Sequence, residues 1–156
     1  MYNTPKDILD ALRATPTVLE ALLRDCSQEQ AQSARGGDEG WSVVEVICHL
    51  RDAEERALER MRAMRDQVDP FLSGYNQERW AQERNYAAVQ LHEAVAAFVR
   101  FRSQHMAELA VLASDDWECT GQHAELGRIT IASHAFHIVS HDLIHAAQIA
   151  RQLSGQ

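Results

Sequence analysis

Histidines at positions 134, 137, 141 and 145 are four of the eight in the chain, and all fall within the stretch HAFHIVSHDLIH. Neutral imidazole is a good ligand for a divalent ion, and two imidazoles one helical turn apart can converge on a single ion. His141 and His145 have that spacing, and so do His137 and His141. At about 100° per residue, His134, His137, His141, His145, Gln148 and Gln152 share an arc of roughly 80° on one helix. Ile131, Ile138 and Ile149 border the stripe on one side, and Phe136, Leu143, Ile144 and Ala147 on the other. The stripe is therefore expected to face a helical interior, where polar groups need partners. A lone HxxxH pair is more often hydrogen-bonded or superficial than metal-binding, so a third ligand must come from elsewhere.

His49, in CHLRDAEE, is the best candidate, because it lies among Val46, Ile47, Leu50 and Ala53 and should look partly inward. On its own it would read as a satisfied core histidine; opposite an HxxxH pair, the metal reading is the stronger. Asp52 stands one turn on, where a carboxylate could orient the imidazole or bind an ion itself. Asp52 and His137 are the candidate general bases, ahead of Glu54 and Glu55, which read as solvated. Gln148 could hydrogen-bond a ligand or satisfy a neighbouring histidine. His123, in TGQHAELG, reads either as a surface loop residue or as overhanging a cavity mouth, and Arg128 as solvated. Trp41 and Trp80 read as core anchors at helix starts, Trp41 also as a pocket wall. Cys48 points about 100° away from His49 and reads as packing, whereas His92 and His105 show no partner pattern.

The elements that must hold these residues are helical. Thr4-Pro5-Lys6-Asp7 opens a first helix, with Ile8, Leu9 and Leu12 as its buried stripe. Thr15-Pro16 makes the segment to about Cys26 either kinked or two consecutive helices. After a loop at 33–40, Ser42 to Glu45 forms a capping box for a second helix running to about Arg65. Asp69-Pro70 and Ser73-Gly74 mark a connection. A third helix is expected over about 76–112, then a loop over 114–128, then a fourth helix over about 129–153. Four helices of this length make an all-α four-helix bundle, here taken as one domain over 1–156.

Composition agrees and excludes some functions. Apolar residues make up 46% of the 156, with three prolines and seven glycines, which favours helix over sheet. A formal charge of -8 repels phosphate backbones and anionic lipid, so neither nucleic acid nor membrane is an expected partner. Cys26, Cys48 and Cys119 are odd in number and lack CxxC spacing, and the N-terminal ten residues lack a signal-peptide plan, so a cytoplasmic chain with free thiols is expected. There is no glycine-rich phosphate loop and no nucleophilic serine elbow.

Four stretches carry a resemblance: ATPTVLEALLRDCSQEQ, GWSVVEVICHLRDAEE, NQERWAQERNY and WECTGQHAELGRITIASHAFHIVSHDLIHAAQI. The most specific part is GWSxxExxxHLxDxE followed by HDxxHxxQI. Together they resemble the DinB-like family of DinB/YfiT metal-binding bundles. The resemblance implies up-down-down-up connectivity and an ion held by His49, His141 and His145, with His137 lining the cavity. It also implies thiol-dependent S-transferase chemistry with a low-molecular-weight thiol, or alternatively metal-dependent hydrolysis or a non-catalytic metal-binding bundle. Members often dimerise, so a homodimer acting on a small-molecule substrate is expected. Zinc is the leading metal, and nickel, iron or manganese would also accept imidazole.

Overall fold

A computed structural model describes residues 4–155. The reading against a signal peptide thus rests partly on Met1 to Asn3, outside the described residues. Helix α1 spans Pro5–Leu23, with Thr4 and Asp7 closing a capping box. It continues unbroken past Pro16. Proline at that position removes the N–H that would bond the Leu12 carbonyl, and the Arg102 guanidinium donates to that carbonyl instead, at 2.9 Å.

Helix α2 (Gln28–Ser33) leads into a two-stranded antiparallel ribbon, β1 (Arg35–Gly36) with β2 (Trp41–Ser42). Helix α3 (Val43–Asp66) follows, with Ser42 and Glu45 forming its expected capping box. The connection after it contains β3 (Phe71–Leu72), which pairs parallel with β4 (Thr120–His123); β4 in turn pairs antiparallel with β5 (Gly127–Thr130). Both expected loops, at 33–40 and 114–128, therefore carry short strands.

The expected third helix is broken. Helix α4 (Gln77–Glu83) and a 3-10 turn at Tyr86–Ala88 precede α5 (Leu91–Leu109), and Asn85 between them is left-handed at φ 48. The break inserts Tyr86 into the core, where its hydroxyl donates to Asp52. Trp80, expected as a core anchor, is only half-buried, with its ring tilted against Tyr75 and under the Arg84 guanidinium. Helix α6 (Ile131–Ser154) begins at a Thr130 cap and ends at left-handed Gly155.

Contacts between helices fix their directions. Glu54 of α3 meets Arg102 and His105 of α5, and Arg62 meets Glu108, so α3 and α5 run parallel. Trp41, just before α3, meets Gln152, while His49 meets His141, so α3 and α6 run antiparallel. Leu19 packs with Val43 to Leu50, and Ile8 and Leu12 pack with Ala57 to Met64, so α1 opposes α3. The four long helices form an up-down-down-up bundle.

Two apolar clusters fill its ends, and the buried carboxylates Asp52 and Glu54 on α3 fall between them. Glu54, expected as solvated, is 1% exposed. Arg102 joins it to Asp142 of α6, at 2.8 Å to each carboxylate, and His105 bonds its other oxygen at 2.8 Å. Thr15 completes the network by donating to Asp142. His105, which had no partner by sequence pattern, is thus a buried structural residue. Burial alone would raise the Glu54 carboxyl; the His105 bond and the Arg102 charge reverse this and hold it at about 2. On α6, Phe136, Leu143 and Ile144 are exposed, so only the isoleucine border of the histidine stripe faces the core.

Candidate metal centre

His49 projects from the middle of α3 and is 3% exposed. His141 and His145 project toward it from successive turns of α6 and are half-buried. One ligand atom from each of the three lies within 4.8 Å of the others, the one such His/Cys/Asp/Glu group among the described residues. His49 Nε2 and His141 Nε2 approach to 2.9 Å. The His145 Nδ1–H donates to Gln148 Oε1 at 2.8 Å, which leaves Nε2 as its free nitrogen.

Burial, together with the neighbouring His145, lowers the His49 imidazole to about 4. Burial and both partner histidines lower His141 to about 2. Both rings are neutral at pH 7 and so carry one lone pair each, and in their 2.9 Å contact one Nε2–H donates to the other Nε2. Around a tetrahedral zinc at about 2.1 Å, nitrogen ligands stand roughly 3.4 Å apart, a value bracketed by the 2.9 Å contact and the 4.8 Å limit. The donor set therefore fits a divalent ion. His49 Nδ1 and His141 Nδ1 are buried without partners, so of the three only His145 has its outer nitrogen oriented by a protein group.

A cavity of about 380 Å³ opens beside His49 and His141. His137 lines it, one turn before His141, and so does His123, whose Nδ1 accepts the backbone N–H groups of Glu125 and Leu126 at 3.2 Å. Gln148 does not line it: buried, it holds His145 and reaches the Gly36 carbonyl at 3.4 Å. Trp41 stands behind the cluster, its ring 5.2 Å from that of His49, and is not part of the cavity wall.

Asp52 departs furthest from its sequence-based role. It is fully buried, and its oxygens are taken by Tyr86, by Arg51 at 2.7 Å and by Arg84 at 3.0 Å. With no bond to His49 and no place on the cavity wall, it has no route to a substrate proton. Cys48 is a packing residue, its thiol pushed up to about 12 by burial. Arg128 is exposed, and pairs with Asp69 at 3.7 Å.

The cavity also holds residues that the sequence reading passed over: Arg60, Tyr75, Gln77 and Glu125. Arg60 follows His49 by three turns, within about 20° of the same face, so helical periodicity alone would have found it. Tyr75 and Gln77 arrive only because β3 pairs with β4 and draws the connection alongside His123. No local pattern signals that pairing.

The sequence profile described as the DinB superfamily matches residues 11–149. The chain belongs to the DinB superfamily. A relative from Oceanobacillus iheyensis, provisionally named a metal-dependent hydrolase, is 25% identical over 142 residues, covering 90% of this chain and 81% of its own. Among solved structures, YfiT from Bacillus subtilis superposes with a TM-score of 0.87 at 19% identity, covering 95% of this chain and 85% of YfiT. YfiT is described as having an unusual four-helix bundle topology and is provisionally assigned as a metal-dependent hydrolase. A mycothiol-dependent maleylpyruvate isomerase superposes with a TM-score of 0.79 at 10% identity, covering 94% of this chain and 60% of the isomerase. These superpositions establish this superfamily chain's fold.

Proposed function

We propose that this chain is a metal-dependent enzyme acting on a small molecule, with His49, His141 and His145 as the metal ligands and thiol-dependent transfer as the reaction. The observation that carries the reading is the convergence of three neutral imidazoles, from two helices, on the edge of a polar cavity. A divalent ion held there, zinc in the first instance, would lower the pKa of a bound thiol or water and make it nucleophilic at neutral pH. Gln148 orients His145 through Nδ1, and Trp41 packs against the His49 ring and limits its motion. His137 is the ionisable side chain on the cavity wall nearest the ligands in sequence, and its imidazole is the group assigned to receive or return a proton there.

No cysteine lines the cavity, so the thiol would come from a small molecule; the mycothiol-using neighbour supports that choice. Hydrolysis is the second reading, supported by the names of the Oceanobacillus and Bacillus proteins and by the same open site. Three free cysteines support a reducing, cytoplasmic setting. A homodimer belongs to the reading too: Val18 and Leu143 are exposed, and both line an apolar groove between α1 and α6. Among the described residues no helix is long and apolar enough to cross a membrane.

The test assays protein loaded separately with zinc, nickel or manganese against low-molecular-weight thiols with electrophiles, and against esters, amides and phosphate esters. Thiol consumption that vanishes in His145→Ala supports transfer. Turnover of an ester or amide without thiol selects hydrolysis. No turnover on either panel would overturn the enzymatic reading.

A further inference from the structure

The cavity wall facing away from the histidine cluster carries a cation with unused hydrogen-bonding capacity. Arg60 lines the cavity, and the only hydrogen bond it makes among the described residues is from Nη2 to the Ser73 carbonyl, at 2.8 Å. A guanidinium has five N–H donors. Among the described residues no carboxylate lies within ion-pair distance of Arg60, in contrast to Arg56 one turn earlier, which is paired with Glu59 at 2.5 Å. Arg60 Nε is buried and has no acceptor. Burial and the Arg56 charge hold the guanidinium below its ordinary value, as expected of a cation lacking a close counter-ion. An arginine left this way beside an open cavity, in a chain of formal charge -8, is short of an anion.

We propose that Arg60 is the recognition residue for a carboxylate on the small-molecule substrate, anchoring the end of the molecule that points away from the histidine cluster. This rests on the proposed function for its enzymatic meaning. Carboxylate is favoured over phosphate by charge. Glu125, the one carboxylate among the residues lining the cavity, stands on the loop across from Arg60, its Oε1 3.5 Å from where a side chain on Gly74 would begin. A single guanidinium, with a carboxylate also on the cavity wall, can balance at most one negative charge and disfavours a dianionic group. A planar carboxylate also matches the guanidinium fork, with two parallel N–H···O bonds fixing orientation as well as position.

The test uses the full chain stripped of metal, so that the histidine cluster cannot bind the anion through an ion. Butyrate and inorganic phosphate are titrated separately, followed by nitrogen-15 NMR of the Arg60 Nε–H and of the backbone around residues 73–77. Butyrate is expected to shift the Arg60 Nε–H and to bind more tightly than phosphate. Arg60→Met should weaken butyrate binding about ten- to a hundredfold, the effect of losing one charge-assisted contact. Arg60→Lys, which keeps the charge without the fork, should bind several-fold more weakly than wild type and serves as the deciding variant if Arg60→Met does not fold. His145→Ala should bind butyrate as wild type does, and Arg60→Met should retain the metal content of wild type. Equal butyrate binding in wild type and the Arg60 variants, absence of butyrate binding to wild type, or a preference for phosphate would overturn the proposal. Because the titration needs no metal, its failure is separate from failure of the three-histidine reading.

Discussion

At the residue scale, the histidine cluster depends on groups that do not line the cavity. Gln148 is the clearest case, because it alone fixes which nitrogen of His145 is free. Gln148→Leu should keep the fold and lower metal affinity about 10- to 100-fold, measured by competition with a chelating dye; unchanged affinity would show that His145 needs no orienting partner. Arg102 is the structural counterpart, bonded to the Leu12 carbonyl, Glu54 and Asp142. Arg102→Met should destabilise the chain by about 3–5 kcal/mol in urea unfolding, since it strands two buried carboxylates. Helical spacing and residue chemistry marked out the histidine stripe and His49 but left His137/His141 and His141/His145 as alternative pairs, and only the family resemblance chose the later pair. Glu54 was misread as solvated and Asp52 as a group for His49 because their decisive partners come from other elements: Arg102 on α5 for Glu54, and Arg84 and Tyr86 for Asp52.

At the element scale, α3 is the scaffold of the site, and its start is set by the Ser42–Glu45 box. Ser42→Ala should cost about 1 kcal/mol of stability, readable as a lower urea midpoint with unaltered slope. The small sheet packs closely against α3 at Gly121. A Cβ on Gly121 of β4 would lie 2.7 Å from Leu72 Cδ1 and 3.0 Å from Met64 Cγ. Gly121→Ala should therefore cost about 1–3 kcal/mol and disturb the wall carrying His123, with the same unfolding measurement as the check. The four long helices could be placed from capping signals and apolar spacing. The break at Asn85 and the three-stranded sheet could not. The break has no proline or glycine to mark it and is imposed by Tyr86 reaching Asp52, and strands of two to four residues are too short to show alternation.

At the scale of the whole molecule, parallel α3 and α5 require the long connection over residues 67–90, and that connection supplies Gly74, Tyr75 and Gln77 to the cavity wall. The buried polar layer also makes stability depend on pH. Burial, then the charge of Arg60 and of nearby histidines, lowers His134 from 6.5 to about 3, and its Nε2 has no partner. A base whose folded pKa lies below its unfolded value stabilises the fold above the unfolded pKa, because between the two values the unfolded chain binds more protons. Stability should thus be full above about pH 6.5 and fall as pH drops toward 3. His134→Leu should flatten that part of the urea-midpoint profile, and an unchanged profile would show that His134 is not held neutral.

The central claim, that two helices assemble one metal site, is tested most directly by elemental analysis of untagged protein as wild type, His49→Ala and His145→Ala. The account predicts near-stoichiometric metal in wild type and its loss in both variants, with helical content retained. No metal in wild type after reconstitution with zinc, nickel and manganese, or retention of metal in either variant, would contradict it.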